Sequence, residues 1–214
     1  MTGNPKLRIA LFAIVAFVLG LFLARALHAP REIPVPATVN ATILPQTRVL
    51  PALDLIDQNG QPLPPDALRR GWTIVFFGFT QCPDICPTTL TLLAQTRKRL
   101  TDLPPAQQPQ VLLISVDPER DTPEVLKPYV TFFDATFRGA TGTAEGVQRA
   151  ATAFGVPFQK MPLPDGGYTM DHGAGLFIIA PNGGIAAYSS PPLTPEGLAA
   201  DFRSVVQYFE ATHR

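Results

Sequence analysis

The chain has 214 residues, which allows one ordinary domain of about 150 residues and an appendage. That length buries a sizeable core without covalent staples, so the two cysteines are not the disulfide framework of a small secreted domain. The 17 Lys and Arg balance the 17 Asp and Glu, and no basic stripe is present, which argues against nucleic acid as a partner. Charged residues make up 16% and apolar residues 46% of the chain, a composition that a membrane segment would explain.

Residues 1–28 are predicted to be an N-terminal tail and a single transmembrane anchor. Residues 9–24 carry no charge. A helix from Ile9 to Leu27 would be about 28 Å long, close to the ~30 Å hydrocarbon core of a bilayer. The alternative is a cleavable signal peptide, which Arg25 in the cleavage region disfavours. The positive-inside rule leans slightly toward an N-terminus inside the cell, with the rest of the chain outside.

Residues 29–50 are predicted to form an extended linker between the membrane and the domain. Pro30 to Pro51 holds five prolines, few large apolar residues and no periodicity. The folded domain is therefore predicted to occupy residues 51–214.

Residues 51–214 alternate between strand and helix patterns. A hairpin is predicted at Asn59-Gly60, the run Thr73–Thr80 is typical of a strand buried on both faces, and Thr143 is a suitable N-cap. The other predicted elements are strands at 111–116, 173–179 and 185–188, and helices at 87–100, 122–133, 143–153 and 194–211. This order predicts an α/β fold, a mixed sheet flanked by helices.

The two cysteines, Cys82 and Cys86, follow the predicted Thr73–Thr80 strand at the start of a helix. Sites in α/β folds form at the carboxyl ends of strands, and a helix N-terminus stabilises a thiolate. The CxxxC spacing brings both sulfurs within reach of one ion, whether the helix begins near Pro83 or at Pro87. Soft thiolates select Cu(I), zinc or iron–sulfur clusters, and two thiolates need a third ligand. The pair could also form a disulfide, although thiol exchange typically uses CxxC.

His172 is predicted to be the third ligand, because it is the only histidine within the body of the domain. His28 flanks the apolar segment and His213 is the penultimate residue, and both are interpreted as solvated bystanders. Asp171 could orient the imidazole of His172 or lie near the ion.

Three motifs follow one another along the chain: Phe76 to Pro87 (FFGFTQCPDICP), Ser115 to Pro123 (SVDPERDTP) and Asp171-His172. In this order they resemble the Sco/SenC family, membrane-anchored copper chaperones for cytochrome c oxidase. The resemblance covers about residues 45–212. The strand from Gly175 departs from the family pattern, which usually has a Tyr and a closing Asp there, and this affects packing more than ligands.

The resemblance implies a thioredoxin-like fold in which Cys82, Cys86 and His172 hold one copper ion, Cu(I) or Cu(II). It implies delivery of that copper to the binuclear copper site of a cytochrome c oxidase subunit during assembly. The alternative is a thiol–disulfide oxidoreductase whose redox pair, Cys82 and Cys86, reduces the copper-ligating cysteines of that subunit. A peroxide-reducing thiol enzyme fits the proline-flanked CxxxC poorly.

The implied location is the bacterial inner membrane, with a single-pass anchor and the domain facing the periplasm. The implied partners are the copper-binding oxidase subunit, other periplasmic copper carriers or thiol reductants, and the membrane itself. A thiol pair outside the cytoplasm needs a reductant there, and a copper carrier must lie on the side of its target.

A charged segment, Asp117 to Asp121, follows the predicted 111–116 strand, as acid–base residues often do. No nucleophile or sugar-binding aromatic residue accompanies it. Asp117, Glu119, Arg120 and Asp121 are therefore interpreted as an ion-pair and turn segment.

Overall fold

The computed structural model describes residues 5–27, 33–164 and 166–213. The chain divides into two compact units, Met1–Pro34 and Val35–Arg214. The residues that the structure describes in the first unit include one helix, α1 (Pro5–Leu27). Within the described ranges no helix has both the length and the apolar character that crossing a membrane requires, so the predicted transmembrane helix is not confirmed.

The described residues of the second unit form nine strands and four α-helices. The strands are β1 (Ala41–Val49), β2 (Ile56–Asp57), β3 (Thr73–Gly78), β4 (Gln110–Ser115), β5 (Arg138–Thr141), β6 (Phe158–Leu163), β7 (Gly167–His172), β8 (Leu176–Ile179) and β9 (Gly184–Ser189); the helices are α2 (Ile85–Lys98), α3 (Pro123–Phe133), α4 (Ala144–Phe154) and α5 (Pro195–Thr212). Seven strands form one sheet in the order β1-β9-β8-β3-β4-β5-β2, and β6 pairs with β7 in a separate hairpin. The predicted mixed sheet flanked by helices is confirmed.

Strand β3 is the centre of the sheet, parallel to β4 and antiparallel to β8. All six of its residues are buried, as the continuous apolar run predicts. On one face the Phe77 ring lies 5.2 Å from that of Phe154 in α4. On the opposite face a Cβ at Gly78 would lie 3.0 Å from the Cys86 sulfur, so the first turn of α2 covers this end of the strand.

The predicted linker is wrong over Ala41–Val49, which is the edge strand β1 and pairs antiparallel with β9. The pairing register shifts between Ile43 and Arg48, a stretch that contains Pro45. An edge strand with an irregular register tolerates the missing N–H of a proline, so the prolines did not prevent a strand. The folded domain therefore begins before the predicted boundary at residue 51.

Besides β1, three further strands were not predicted: β5, β6 and β7. Strand β5 has only four residues and includes a glycine. The β6–β7 hairpin is largely exposed and includes Pro162, so it shows no apolar alternation. His172 is consequently the last residue of β7 rather than a loop residue directly before β8.

Candidate metal centre

The two cysteines, both free thiols, lie in the segment that follows β3 and in the first turn of α2. Helix α2 begins at Ile85, between the two predicted starts, so Cys82 precedes it and Cys86 lies in its first turn. The N-cap residue Asp84 makes no side-chain capping bond. The Cys86 N–H instead donates to the Cys82 sulfur at 3.4 Å. One of the free donors of the helix N-terminus therefore points at a sulfur, an arrangement that favours an anionic ligand.

Cys86 is fully buried beneath the sheet end. Burial raises the pKa of its thiol, because the charged thiolate would lose its hydration. A metal ion that binds this sulfur must therefore displace a proton. Gly78 makes room for it, since a side chain there would press on the Cys86 sulfur.

His172 faces Cys86, with Nε2 3.9 Å from the Cys86 sulfur. Its Nδ1 lies 3.0 Å from the carbonyl oxygen of Gly173. A carbonyl only accepts hydrogen bonds, so Nδ1 carries the proton and Nε2 presents a lone pair toward Cys86. The ring also packs edge-on against Phe79 at 5.9 Å. The tautomer with its proton on Nδ1 is the one that lets Nε2 bind a metal ion.

Two pairwise contacts connect the three predicted ligands. The Cys82 sulfur contacts the Cys86 backbone N–H, and the Cys86 sulfur faces His172. Among the described residues no three His, Cys, Asp or Glu side chains form a ready-made metal cluster. Asp171 is exposed and lines, with His172, an open cleft of about 300 Å³. The imidazole of His172 is therefore reachable from solvent.

Of the other two histidines, the structure describes only His213, which is not part of this centre. His213 stacks on Phe209 at 4.1 Å near the end of α5. His28 lies outside the described residues.

The segment from Asp117 to Asp121 makes the ion-pair contacts that were predicted for it. It also contacts Thr80, two residues before Cys82. Asp121 is buried and accepts hydrogen bonds from the Thr80 N–H at 3.0 Å and from the Ser115 hydroxyl at 2.6 Å. Burial raises the pKa of Asp121, although these hydrogen bonds oppose the shift. Asp117 forms an ion pair with Arg120. Arg120 also donates to the carbonyl oxygen of Tyr168 in β7, a contact that could not be predicted because the β6–β7 hairpin itself was not.

The family profile described as SCO1/SenC matches residues 42–207. This chain belongs to the SCO1/SenC family. Recognition from the three motifs is thereby confirmed.

One relative is similar to this chain in sequence, and two solved structures are similar to it in sequence and in fold. A Stutzerimonas stutzeri protein whose name assigns it copper binding is 42% identical over 161 residues, 74% of this chain and 78% of that protein. The structure of Bradyrhizobium japonicum ScoI with copper bound is 35% identical with a TM-score of 0.64, and covers 72% of this chain and 98% of that one. Arabidopsis thaliana ScoI with copper bound has 29% identity and a TM-score of 0.70, with coverages of 75% and 99%.

Proposed function

We propose that this protein is a copper chaperone that holds one copper ion between Cys82, Cys86 and His172. The observation that carries the proposal is the position of His172, whose Nε2 faces the Cys86 sulfur at 3.9 Å while its Nδ1 lies 3.0 Å from the Gly173 carbonyl oxygen. Two thiolates and an imidazole are a suitable donor set for copper. Copper is also the metal that the names of similar proteins give.

The three donors suit a carrier of copper better than a permanent store. Cys82 is half-buried, and His172 lines an open cleft, so an ion at this position is reachable from outside. Cu(I) is content with low coordination, whereas Cu(II) prefers additional nitrogen or oxygen donors. We propose the binuclear copper site of a cytochrome c oxidase subunit as the destination, on the strength of family membership.

The second candidate is a thiol–disulfide oxidoreductase acting on the cysteines of the same subunit. It is supported by the free state of both thiols and by the contact of the Cys82 sulfur with the Cys86 backbone. The two functions are compatible, because the reduced pair binds copper and the oxidised pair cannot. A reduced chain that exchanges disulfides but binds no copper would favour this candidate.

The proposed location is the periplasmic side of the bacterial inner membrane. Free thiols destined for copper need both the ion and a reductant, and the target subunit is predicted to expose its site there. Membrane attachment is tested by fractionating cells that express the full chain, with a high-salt wash to remove peripheral proteins.

The copper assignment is tested by titrating the reduced full chain with Cu(I) under a competing chelator, and with Cu(II) through its thiolate charge-transfer band. We expect one copper per chain. His172→Ala should retain Cu(I) with lower affinity, since two thiolates remain, and should lose the Cu(II) band.

His213→Ala is the matched control, because His213 lies outside the centre, and it should behave like the wild type. A Cu(II) band that is unchanged in His172→Ala would remove His172 from the ligand set and contradict the proposal.

A further inference from the structure

The β6–β7 hairpin that carries His172 is not hydrogen-bonded into the seven-stranded sheet. An isolated two-stranded hairpin is marginally stable in water, so side-chain contacts must hold it in place. We propose that Arg120 is a positioning residue that fixes this hairpin against the cysteine segment and thereby sets how readily His172 joins the copper. The inference rests on the proposed function for its copper readout.

The guanidinium of Arg120 bridges the two halves of the centre. Its Nη1 donates to the Gln81 side-chain oxygen and to the Tyr168 carbonyl, both at 3.0 Å. Gln81 directly precedes Cys82, and Tyr168 belongs to the same strand as His172. Nε donates to the carboxylate of Asp117, which anchors the bridge to the end of β4.

Aromatic contacts complete the arrangement. The Arg120 Cζ lies 3.7 Å from the centre of the Tyr168 ring and 5.9 Å from that of Phe79. Phe79 in turn packs edge-on against His172. A planar guanidinium can stack on a ring and donate from its edge at once, which a lysine ammonium cannot.

Strand geometry connects this anchor to the ligand. Tyr168 and His172 are four residues apart in β7, so their side chains share one face about 13 Å apart. The Tyr168 hydroxyl donates to Asp117 at 2.9 Å, which fixes the far end of that face. Releasing Tyr168 would therefore let the whole strand, with His172 at its end, move relative to Cys86.

Lys160 contacts the same ring but contributes less. Its Nζ lies 3.9 Å from the centre of the Tyr168 ring, and it pairs with Glu119. Both charged side chains of that pair are exposed, 44% and 66%, so water screens the interaction. The 21% exposed Arg120, paired with the 2% exposed Asp117, is the stronger anchor.

The inference is tested with the full chain carrying Arg120→Met. Methionine keeps the apolar part of the side chain and removes the guanidinium group. Mutation of a residue that orients a metal ligand typically lowers metal affinity by about 10- to 100-fold. We expect a loss of that size in the affinity for Cu(II). Cu(I), held by the two thiolates, should change little. A merely structural role would lower both affinities together.

Arg97→Met is the matched control, because Arg97 is also 21% exposed and ion-paired, with Asp134, but lies at the other end of α2. It should leave the ratio of the two affinities unchanged. If Arg120→Met does not fold, Arg120→Lys takes its place, since lysine keeps the positive charge and lacks the planar guanidinium group.

A second readout needs no copper: the imidazole NMR signals of His172 in the reduced apoprotein should shift or broaden in Arg120→Met and stay in place in Arg97→Met. A folded Arg120 variant with the wild-type affinity ratio and unmoved signals would overturn the inference. If the wild type binds no copper, the proposed function fails, while the NMR comparison still decides the role of Arg120.

Discussion

At the scale of single residues, the two thiols of the centre have different environments. Cys86 is buried, and burial raises its thiol pKa. Cys82 is half-buried and accepts an N–H from the start of α2. In the proposed copper centre, the more accessible sulfur would therefore be the first to meet the ion, and Cys86 and His172 would complete its ligand set.

The raised pKa of Cys86 predicts that copper affinity depends on pH. The buried thiol keeps its proton through neutral pH, and the metal must displace it, so affinity rises with pH. Each proton released contributes about a tenfold change in apparent affinity per pH unit. Cu(I) titrations between pH 6 and 8 against a chelator of known proton affinity measure the slope. A flat profile would mean that Cys86 binds no metal or is already ionised.

At the scale of elements, the edge strand β1 is fastened to α5 by one buried carboxylate. Asp201 is 1% exposed. Its Oδ1 accepts the Val39 N–H at 2.6 Å, and its Oδ2 accepts those of Asn40 and Ala41 at 2.8 and 2.9 Å. The three backbone N–H groups that lead into β1 therefore all donate to one side chain in α5, an element distant along the chain.

Replacing Asp201 with Asn should therefore destabilise the domain. An amide supplies one acceptor oxygen and turns an NH2 toward backbone donors, so the free energy of unfolding should fall by about 2–4 kcal/mol. Urea unfolding measures the difference. Asp102→Asn, which alters an exposed ion pair with Arg203, is the control and should change little. Equal midpoints for Asp201→Asn and the wild type would show that the carboxylate does not hold β1.

These elements show what the sequence could and could not predict. Strand β3 and helix α4, with its N-cap Thr143, follow from local patterns, and both were predicted. Strand β1 and the β6–β7 hairpin depend on contacts distant along the chain, from Asp201 and Arg120, which a local pattern does not contain. The candidate ligands could be predicted because they lie in short local motifs. Their mutual geometry could not, because it depends on the β6–β7 hairpin.

At the scale of the whole molecule, the core belongs to one of the two units. All buried apolar side chains of the described residues lie between Ala41 and Tyr208. The large apolar side chains described in α1, from Ile9 to Leu23, are exposed. Folding of the second unit, Val35–Arg214, should therefore need nothing from the first.

We accordingly expect a fragment that starts at Val35 to fold and to melt cooperatively, with a mixed α/β circular dichroism spectrum. A fragment that starts at Pro51, the boundary predicted from the sequence, is the informative comparison. It lacks β1, which leaves the backbone groups of β9 unpaired at the sheet edge and the Asp201 carboxylate buried without its three donors. It should melt at lower temperature or aggregate. Equal stability of the two fragments would show that β1 is dispensable and that the domain begins where the proline-rich segment ends.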